Sequence, residues 1–344
     1  MRVSIEWIIL IGILFLSVLI ALYVGSYEVT ISDIFCTLGK KMGLGNLSVE
    51  PTTEFLIWNV RLPRIVMGIF VGLALSISGA AVQGLFRNPL ADPSLIGVTG
   101  GAMLAAVLFI VIGGSWIVET SFWIQYFALA TFAFLGGLAS TFMVYKLARL
   151  GSGTQTATLL LAGVAITAIT SAVAGFFVYF STEEQLRDIT FWTMGSLSGS
   201  NWIGTAIVGV PTFFSSIILY RQARGLDALL LGEDEAMFLG IDVKSLRLKV
   251  IVHGAVLVGV CIALTGIIGF LGLVIPHLVR LCKGAGHHFL IPASGLVGAI
   301  LLVLADTLAR IVVQPAELPI GILTALIGGP FFFYLLLQSK QQFL

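Results

Sequence analysis

The chain has 344 residues, of which 58% are hydrophobic and only 10% are charged, and its formal net charge is +1. Its mean hydropathy of +1.08 lies outside the range of ordinary soluble domains and is typical of membrane proteins with several spans. A nearly neutral chain gives no electrostatic reason to expect a nucleic-acid partner. Cys36, Cys261 and Cys282 lie too far apart to indicate a disulfide framework or a metal site.

Runs with few or no charged residues recur along the whole chain and predict about ten membrane-spanning helices, because about 20 apolar residues cross the bilayer core as a helix. The runs cover residues 7–24, 65–86, 95–112, 122–145, 157–180, 202–220, 250–265, 266–281, 291–312 and 319–337. Thr265, Gly266 and Gly269 mark a turn or a break between the seventh and eighth runs. We therefore predict an all-α, polytopic protein with residues 1–344 in a single membrane domain.

The distribution of Lys and Arg predicts the orientation of the chain in the membrane. If the N-terminus is cytoplasmic, 12 of the 18 basic residues fall on the cytoplasmic side and 6 on the other. Both termini are therefore predicted to be cytoplasmic. The first run is longer than a typical signal core and lacks an obvious cleavage site, so we expect it to remain as the first helix.

The run at 65–86 has a distinctive sequence at each end. Arg61 and Arg64 flank Pro63 on the predicted outer side, and a polar turn rich in proline follows Phe86. Arginines on the outer side run against the usual excess of positive charge in the cytoplasm. We interpret Arg61, Arg64 and Arg310 as exposed cations that pair with acidic groups of an extracytoplasmic partner.

The longest polar interruption on the predicted cytoplasmic side covers residues 221–249. It combines an acidic stretch at 233–235 with an apolar stretch at 236–239, followed by Gly240. An acidic first turn, an apolar face and a terminal glycine predict a short helix that ends at Gly240. A helix of this kind fits the groove of a partner protein.

Several sites that would carry chemistry are absent from the sequence or weakly supported. No Walker A pattern occurs, so we expect nucleotide chemistry in another chain. His287 and His288 lie near Cys282, but we interpret them as part of a solvated loop because further ligands at suitable spacing are missing. No nucleophile elbow of the form G-x-S-x-G is present around Ser196, which argues against a membrane hydrolase.

Asp306 lies in an otherwise apolar run, and a carboxylate inside the membrane is a candidate functional group. Arg310 follows it by four residues, which favours a structural ion pair on one helix face. The alternative is a proton relay, which would make the chain a proton-coupled secondary transporter. Asp306 therefore separates two classes of transporter.

Several long motifs, taken together and in order, resemble the FecCD family of permease subunits of type II ABC importers, which carry cobalamin, haem or ferric siderophores. The motifs are RLPR at 61–64, SGAAVQGLFRNPLADPSLIG at 78–97, LLLAGVAI at 159–166, GFLGLVIPHLVRL at 269–281 and AELPIGILTALIGGPFFFYLL at 316–336. The resemblance implies a homodimer of ten-helix subunits in the bacterial cytoplasmic (inner) membrane, with the substrate path on the two-fold axis. Two ATPase subunits would hold ATP and Mg, and an extracytoplasmic binding protein would deliver the ligand.

The resemblance also implies roles for particular residues. Those expected to dock the binding protein are Arg61, Arg64 and Arg310; those expected at the cytoplasmic gate are Asn88, Leu90, Thr156 and Ala157. The loop at about 226–249 is expected to couple to the ATPase through Glu233, Glu235, Ala236, Leu239 and Gly240. The chain itself is expected to bind no cofactor, to hold no metal and to catalyse no reaction.

Two features bear on the ligand. Ala157 stands where the cobalamin permease has a serine, and FWTMGSLSGSNW at 191–202 is more similar to haem and siderophore permeases. We therefore favour an iron chelate such as haem or a ferric siderophore, with cobalamin as the alternative.

Overall fold

The computed structural model describes residues 5–25, 27–44, 48–114, 122–149, 156–314 and 316–340. Within these ranges the chain is built from helices and contains no β-strand. The α-helices are α1 (Ile5–Tyr23), α2 (Ile31–Lys41), α3 (Pro51–Phe55), α4 (Leu62–Phe86), α5 (Val98–Leu108), α6 (Phe122–Ala148), α7 (Thr156–Tyr179), α8 (Glu183–Met194), α9 (Trp202–Arg221), α10 (Ala223–Leu231), α11 (Glu233–Phe238), α12 (Val243–Thr265), α13 (Leu271–Lys283), α14 (His287–Ile311) and α15 (Ile320–Lys340). Two π-helical segments, Leu56–Arg61 and Phe109–Gly113, and one 3-10 turn, Pro93–Ile96, connect or extend them.

The prediction of an all-α membrane bundle is confirmed. Seven helices in the described ranges are long and apolar enough to cross a membrane, and Val98–Gly113 and Ile320–Phe333 are shorter apolar helices. The eighth predicted run is helical only from Leu271, since residues 266–270 are not helical. The predicted break between the seventh and eighth runs is therefore present, and the eighth run forms a half-length helix.

Helix α4 is the centre of the bundle. It continues from α3 through the first π segment, and 78% of the most apolar stretch of this 36-residue element is buried. Its glycines allow neighbouring backbones to approach closely. A Cβ atom on Gly72 would lie 2.4 Å from the carbonyl oxygen of Gly298 on α14, and one on Gly79 would lie 1.9 Å from that of Gly272 on α13. Contacts of this kind hold helices together in lipid, where apolar burial does not favour helix association.

Polar groups hold the half-helix α13 against α4. Pro276 has no N–H, so the carbonyl of Gly272 lacks its usual partner within the helix. The amide nitrogen of Gln83 on α4 donates to this carbonyl at 3.2 Å and to that of Leu273 at 3.0 Å. Arg280 donates in turn to the amide oxygen of Gln83 at 3.1 Å. The broken helix thus keeps its backbone satisfied inside the membrane.

The turn after α4 is exposed at residues 87–90 and folds back into the bundle from Ala91. Arg87 ends α4 in the left-handed conformation, with φ of 49°. Pro93 then packs against Gly272 of α13. A Cβ atom on Gly272 would also lie 3.1 Å from the carbonyl oxygen of Leu75, near the middle of α4. A Cβ on Gly163 of α7 would lie 1.7 Å from the carbonyl oxygen of Leu95. The turn is therefore packed between α4, α13 and α7.

A glycine substitution tests the close approach of α4 and α13. Gly79→Ala places a methyl group where the carbonyl of Gly272 lies, and overpacking of this kind costs about 1–3 kcal/mol or more. We expect a clear fall in the thermal stability of the detergent-solubilised protein, measured by the loss of the monodisperse peak on size-exclusion chromatography.

Gly175→Ala on α7 is the matched control, because no atom lies within 4 Å of the added methyl group. We expect this variant to behave like the parent protein. Equal stability of the two variants would contradict the packing assigned to Gly79.

Candidate functional site

The end of the bundle that contains Arg61, Arg64 and Arg310 is called the arginine end below. Its best-defined feature is an ion cluster centred on Arg64. The guanidinium of Arg64 donates through Nε and Nη2 to the carboxylate of Asp306, at 2.9–3.0 Å. Its Nη1 donates to Glu317 at 2.9 Å. Arg310 adds a weaker contact to Asp306 at 3.4 Å, so two cations and two anions form one cluster.

Arg61 and Arg310 also donate hydrogen bonds to backbone carbonyls at and just after the C-terminus of α1. Arg61 donates to the backbone carbonyls of Leu22, Tyr23 and Tyr27. Arg310 donates to the carbonyl of Ala21 at 3.0 Å. The last turn of α1 has no basic residue of its own and leaves its final carbonyls without partners in the helix. The two arginines therefore cap α1 and interact favourably with its dipole.

The prediction that these arginines are exposed is wrong. Arg61, Arg64 and Arg310 are 4%, 7% and 8% exposed. A charge beside the membrane is costly unless it is paired, and here carboxylates and helix carbonyls supply the partners. The most accessible member of the ion cluster is Glu317, whose side chain is 42% exposed. The docking role assigned to the arginines stays a prediction.

Asp306 is paired more strongly than the sequence indicated. The predicted contact with Arg310 is present, but the principal partner is Arg64, 242 residues away in the chain. Both carboxylate oxygens of Asp306 accept hydrogen bonds from Arg64, and charge-assisted contacts of this kind give the pair a specific geometry. The geometry therefore favours a structural ion pair over a proton relay.

The ion cluster predicts different effects for its two carboxylates. Asp306→Asn leaves buried guanidinium groups without their main anion, and breaking a buried ion pair costs about 3–5 kcal/mol. Glu317→Gln removes a half-exposed anion, and pairs that reach solvent contribute only about 1 kcal/mol or less.

We expect a large loss of thermal stability for Asp306→Asn and a small one for Glu317→Gln, measured on the purified protein in one detergent. If Glu317→Gln were the more damaging change, the assignment of Asp306 as the central anion would be incorrect.

The opposite end of the bundle, called the coupling end, contains residues 86–92 and the helices α10 and α11. Helix α11 ends in a Schellman motif: Gly240 N–H bonds to the carbonyl of Met237 at 2.9 Å, and Ile241 N–H bonds to that of Ala236 at 3.0 Å. Gly240 has a φ of 81°, which explains why a glycine stands there. The short helix predicted before Gly240 is confirmed, with Phe238 as its last residue.

The residues predicted to couple to the ATPase lie in different environments. Ala236 is fully buried, so its side chain packs inside the chain and faces no partner. Glu233 binds Arg247 at 2.8 Å. Glu235 is exposed, and the apolar side chains of Met237, Phe238 and Leu239 are 55%, 91% and 63% exposed. The surface available to a partner is therefore an apolar tip with an acidic margin.

The interpretation of His287 as a solvated loop residue is wrong. His287 is completely buried at the start of α14. Asp227 on α10 accepts hydrogen bonds from its backbone N–H at 2.9 Å and from its ring Nδ1 at 2.6 Å. Asp227 thus caps α14 from another helix and ties α10 to the bundle. His288 is exposed, as predicted.

The residues predicted to form the gate lie on two segments of the coupling end. Asn88 and Leu90 are exposed on the turn after α4, where the side chain of Asn88 accepts the backbone N–H of Leu90 at 2.9 Å. Thr156 and Ala157 begin α7. The Thr156 hydroxyl donates to Glu233 at 3.2 Å, a contact that sequence reasoning missed because the residues are 77 positions apart.

A cavity of about 330 Å³ lies between the turn at 92–94, α4, and the break between α12 and α13. Its walls are mainly apolar, and the residues that add polar groups are Asp92, Ser94 and Thr99. In the described part of the chain, no group of three or more His, Cys, Asp or Glu residues is placed to hold a metal ion. The cavity is therefore a mainly apolar space beside the break between α12 and α13.

A polytopic bundle with a broken helix, a re-entrant turn and an exposed apolar tip at one end belongs to the class of membrane transport proteins. The FecCD transport family model matches residues 13–338, and the chain belongs to that family.

Relatives of known class cover nearly the whole chain. It is 43% identical to the hemin transport system permease HmuU of Yersinia pestis over 300 residues, which cover 87% of this chain and 88% of the relative. It is 36% identical to the vitamin B12 import system permease BtuC of Shigella boydii, with 99% and 97% covered. A solved structure, described as an inward-facing conformation of a transporter proposed to be an ABC transporter of the metal-chelate type, matches with a TM-score of 0.82 at 35% identity. The match covers 96% of this chain and 97% of the chain in the solved structure.

Proposed function

We propose that the chain is the membrane-spanning permease subunit of an ATP-driven ABC importer for a metal chelate. The observation that carries the proposal is α11, a capped helix whose apolar tip stands exposed at the coupling end of a FecCD-family bundle. Phe238 at this tip is 91% exposed, and an apolar side chain so placed fits a groove on a partner. The partner we propose is an ABC ATPase, which would bind and hydrolyse ATP with Mg.

The proposed assembly contains two copies of the chain, two ATPase subunits and an extracytoplasmic binding protein, in the bacterial inner membrane with both termini cytoplasmic. The second copy is proposed from membership of the FecCD family, and α7, with 22% of its most apolar stretch buried within one chain, leaves surface for it. ATP binding and hydrolysis would move α11 and open the path on the two-fold axis first to one side and then to the other. The permease would do no bond chemistry.

For the ligand we propose an iron chelate, with haem as the first candidate and cobalamin as the second. Sequence identity is 43% to the hemin permease, 41% to a cobalamin permease of Halobacterium salinarum and 36% to the vitamin B12 permease of Shigella boydii, so the order of the two ligands rests on Ala157 and the motif at 191–202. A path for bulky ligands requires weak contacts, since tight binding would slow release. The mainly apolar cavity with few polar groups is consistent with that requirement.

Changing Phe238 to Asp tests the docking of α11. A charge at the centre of an apolar contact is unfavourable, so we expect Phe238→Asp to lose the ATPase subunit that co-purifies with the tagged parent chain in mild detergent. Mass identification of the subunits and vanadate-sensitive ATP hydrolysis are the measurements.

Met42→Asp is the matched control, because Met42 is also exposed but follows α2, towards the arginine end. It should keep the ATPase. A parent chain that purifies alone in several detergents, without ATP hydrolysis, would overturn the importer and favour the proton-coupled carrier.

The ligand is tested in proteoliposomes that contain the purified complex and its binding protein. We expect ATP-dependent uptake of labelled haemin and little uptake of labelled cyanocobalamin under the same conditions. The control is the complex inhibited by vanadate. Preferential uptake of cyanocobalamin would reverse the order of the two ligands and leave the importer assignment intact.

A further inference from the structure

One carboxylate oxygen joins three elements at the coupling end. Oε1 of Glu233 accepts a hydrogen bond from Nη2 of Arg247 at 2.8 Å and another from the hydroxyl of Thr156 at 3.2 Å. Glu233 is the first residue of α11, Arg247 lies in the first turns of α12, and Thr156 is the first residue of α7. The helix proposed to dock the ATPase therefore touches the predicted gate residue directly.

Arg247 fixes the position of this carboxylate. Its side chain is 6% exposed, whereas that of Glu233 is 34% exposed. A buried guanidinium needs an anion, so the Glu233–Arg247 pair is costly to separate. Glu233 is part of α11 and is paired with Arg247 of α12. Its carboxylate therefore moves only when α11 or α12 moves.

The backbone around α11 allows it to move as a unit. Gly232 and Gly240 flank it, with φ values of 145° and 81°, conformations that L side chains rarely adopt. Rotation at residues of this kind absorbs the changes in direction that a moving segment requires. Helix α11 is a short, capped unit between two glycine hinges, and Glu233 is the first residue after one hinge.

The donor in this hydrogen bond, Thr156, lies at the N-terminus of α7. This 24-residue helix is weakly buried in one chain, with 22% of its most apolar stretch covered, compared with 78% for the element that contains α4. In its first turn Ala157 is exposed and Leu159 is buried, so this turn is held by the rest of the chain on one face only. A carboxylate close to a helix N-terminus is also favoured by the helix dipole, which strengthens the contact to Thr156.

We propose that Glu233 is the positioning residue that transmits the movement of α11 to the gate end of α7, through its hydrogen bond with Thr156. This inference rests on the proposed importer function. Hydrogen bonds to a charged group shift an equilibrium by roughly tenfold to a hundredfold, which is enough to bias a gate between two positions. Arg247 keeps the carboxylate oriented while the link operates.

The test uses the complex that co-purifies with the tagged chain, reconstituted in lipid nanodiscs. Cys36, Cys261 and Cys282 are replaced by serine or alanine, and Ala157→Cys serves as the reporter because Ala157 is exposed beside Thr156. The rate of labelling by a polar maleimide is measured without nucleotide and after trapping with ATP and vanadate. In this parent, we expect nucleotide to change the rate.

Thr156→Val removes the hydroxyl and keeps the shape of the side chain and the Glu233–Arg247 pair. We expect it to abolish most of the nucleotide-dependent change in labelling, because the hydrogen bond to Glu233 is lost. Thr156→Ser restores the hydroxyl and should recover the response. Thr158→Val, the same change two residues along α7, is the matched control and should keep the nucleotide-dependent change in labelling.

Glu233→Gln weakens the acceptor, and combining it with Thr156→Val should cause no further loss, because both changes act on one link. A full response in Thr156→Val, or a Thr156→Ser variant that behaves like the valine variant, would overturn the link. A parent complex that hydrolyses ATP without any change in labelling would also overturn the link. If no ATPase co-purifies and no ATP is hydrolysed, the proposed importer function fails instead. The two failures are therefore distinguishable.

Discussion

The structure depends on the close approach of α4 to its neighbours. Gly72 and Gly79 bring the backbone of α4 against those of α14 and α13, where no side chain would fit. In lipid, this packing replaces the hydrophobic drive that assembles soluble proteins. Because α4 is in backbone contact with helices on two sides, its position in the bundle is fixed by α13 and α14.

Interruptions of the helices are compensated by side chains from other elements. The carbonyl of Gly272, left free by Pro276, accepts from Gln83. At the π segment that follows α5, the side chain of Gln185 on α8 donates to the carbonyls of Ile110 and Val111 at 3.2–3.3 Å. Polar backbone inside a membrane needs a partner, and a long amide side chain reaches from one helix to the next. The bundle can therefore contain a half-helix and a re-entrant turn without exposing backbone to lipid.

The sequence predicted the local features of the fold well. Runs without charge identified the spans, the glycines at 266 and 269 identified the broken helix, and the acidic start and final glycine identified α11. These features depend on residues that are close in the chain, and their physical causes act locally. The start of α13 at Leu271 was missed, because the five residues before it are as apolar as a helix would be.

The environment of the charged residues could not be predicted from the sequence. Arg64 was expected at the surface, yet its partners Asp306 and Glu317 lie 242 and 253 residues away. His287 was expected in solvent, but it is buried, and Asp227 on another helix accepts hydrogen bonds from its backbone N–H and its ring Nδ1. Pairs of this kind arise only when distant helices pack together. A single sequence shows which residues are charged and roughly where along a span they lie. It does not show which distant residue each of them pairs with.

The pairing of charges at the arginine end also determines the electric field outside the protein. Arg64 and Arg310 are balanced by Asp306 and Glu317, so only Arg61 in this group lacks a carboxylate partner in the part of the chain that the structure describes. Opposite charges within a few ångströms cancel beyond one Debye length, which is about 8 Å at physiological ionic strength. This group of residues therefore adds little to the diffusional encounter with an acidic protein. Any recognition at this group begins on contact, through shape and short-range hydrogen bonds.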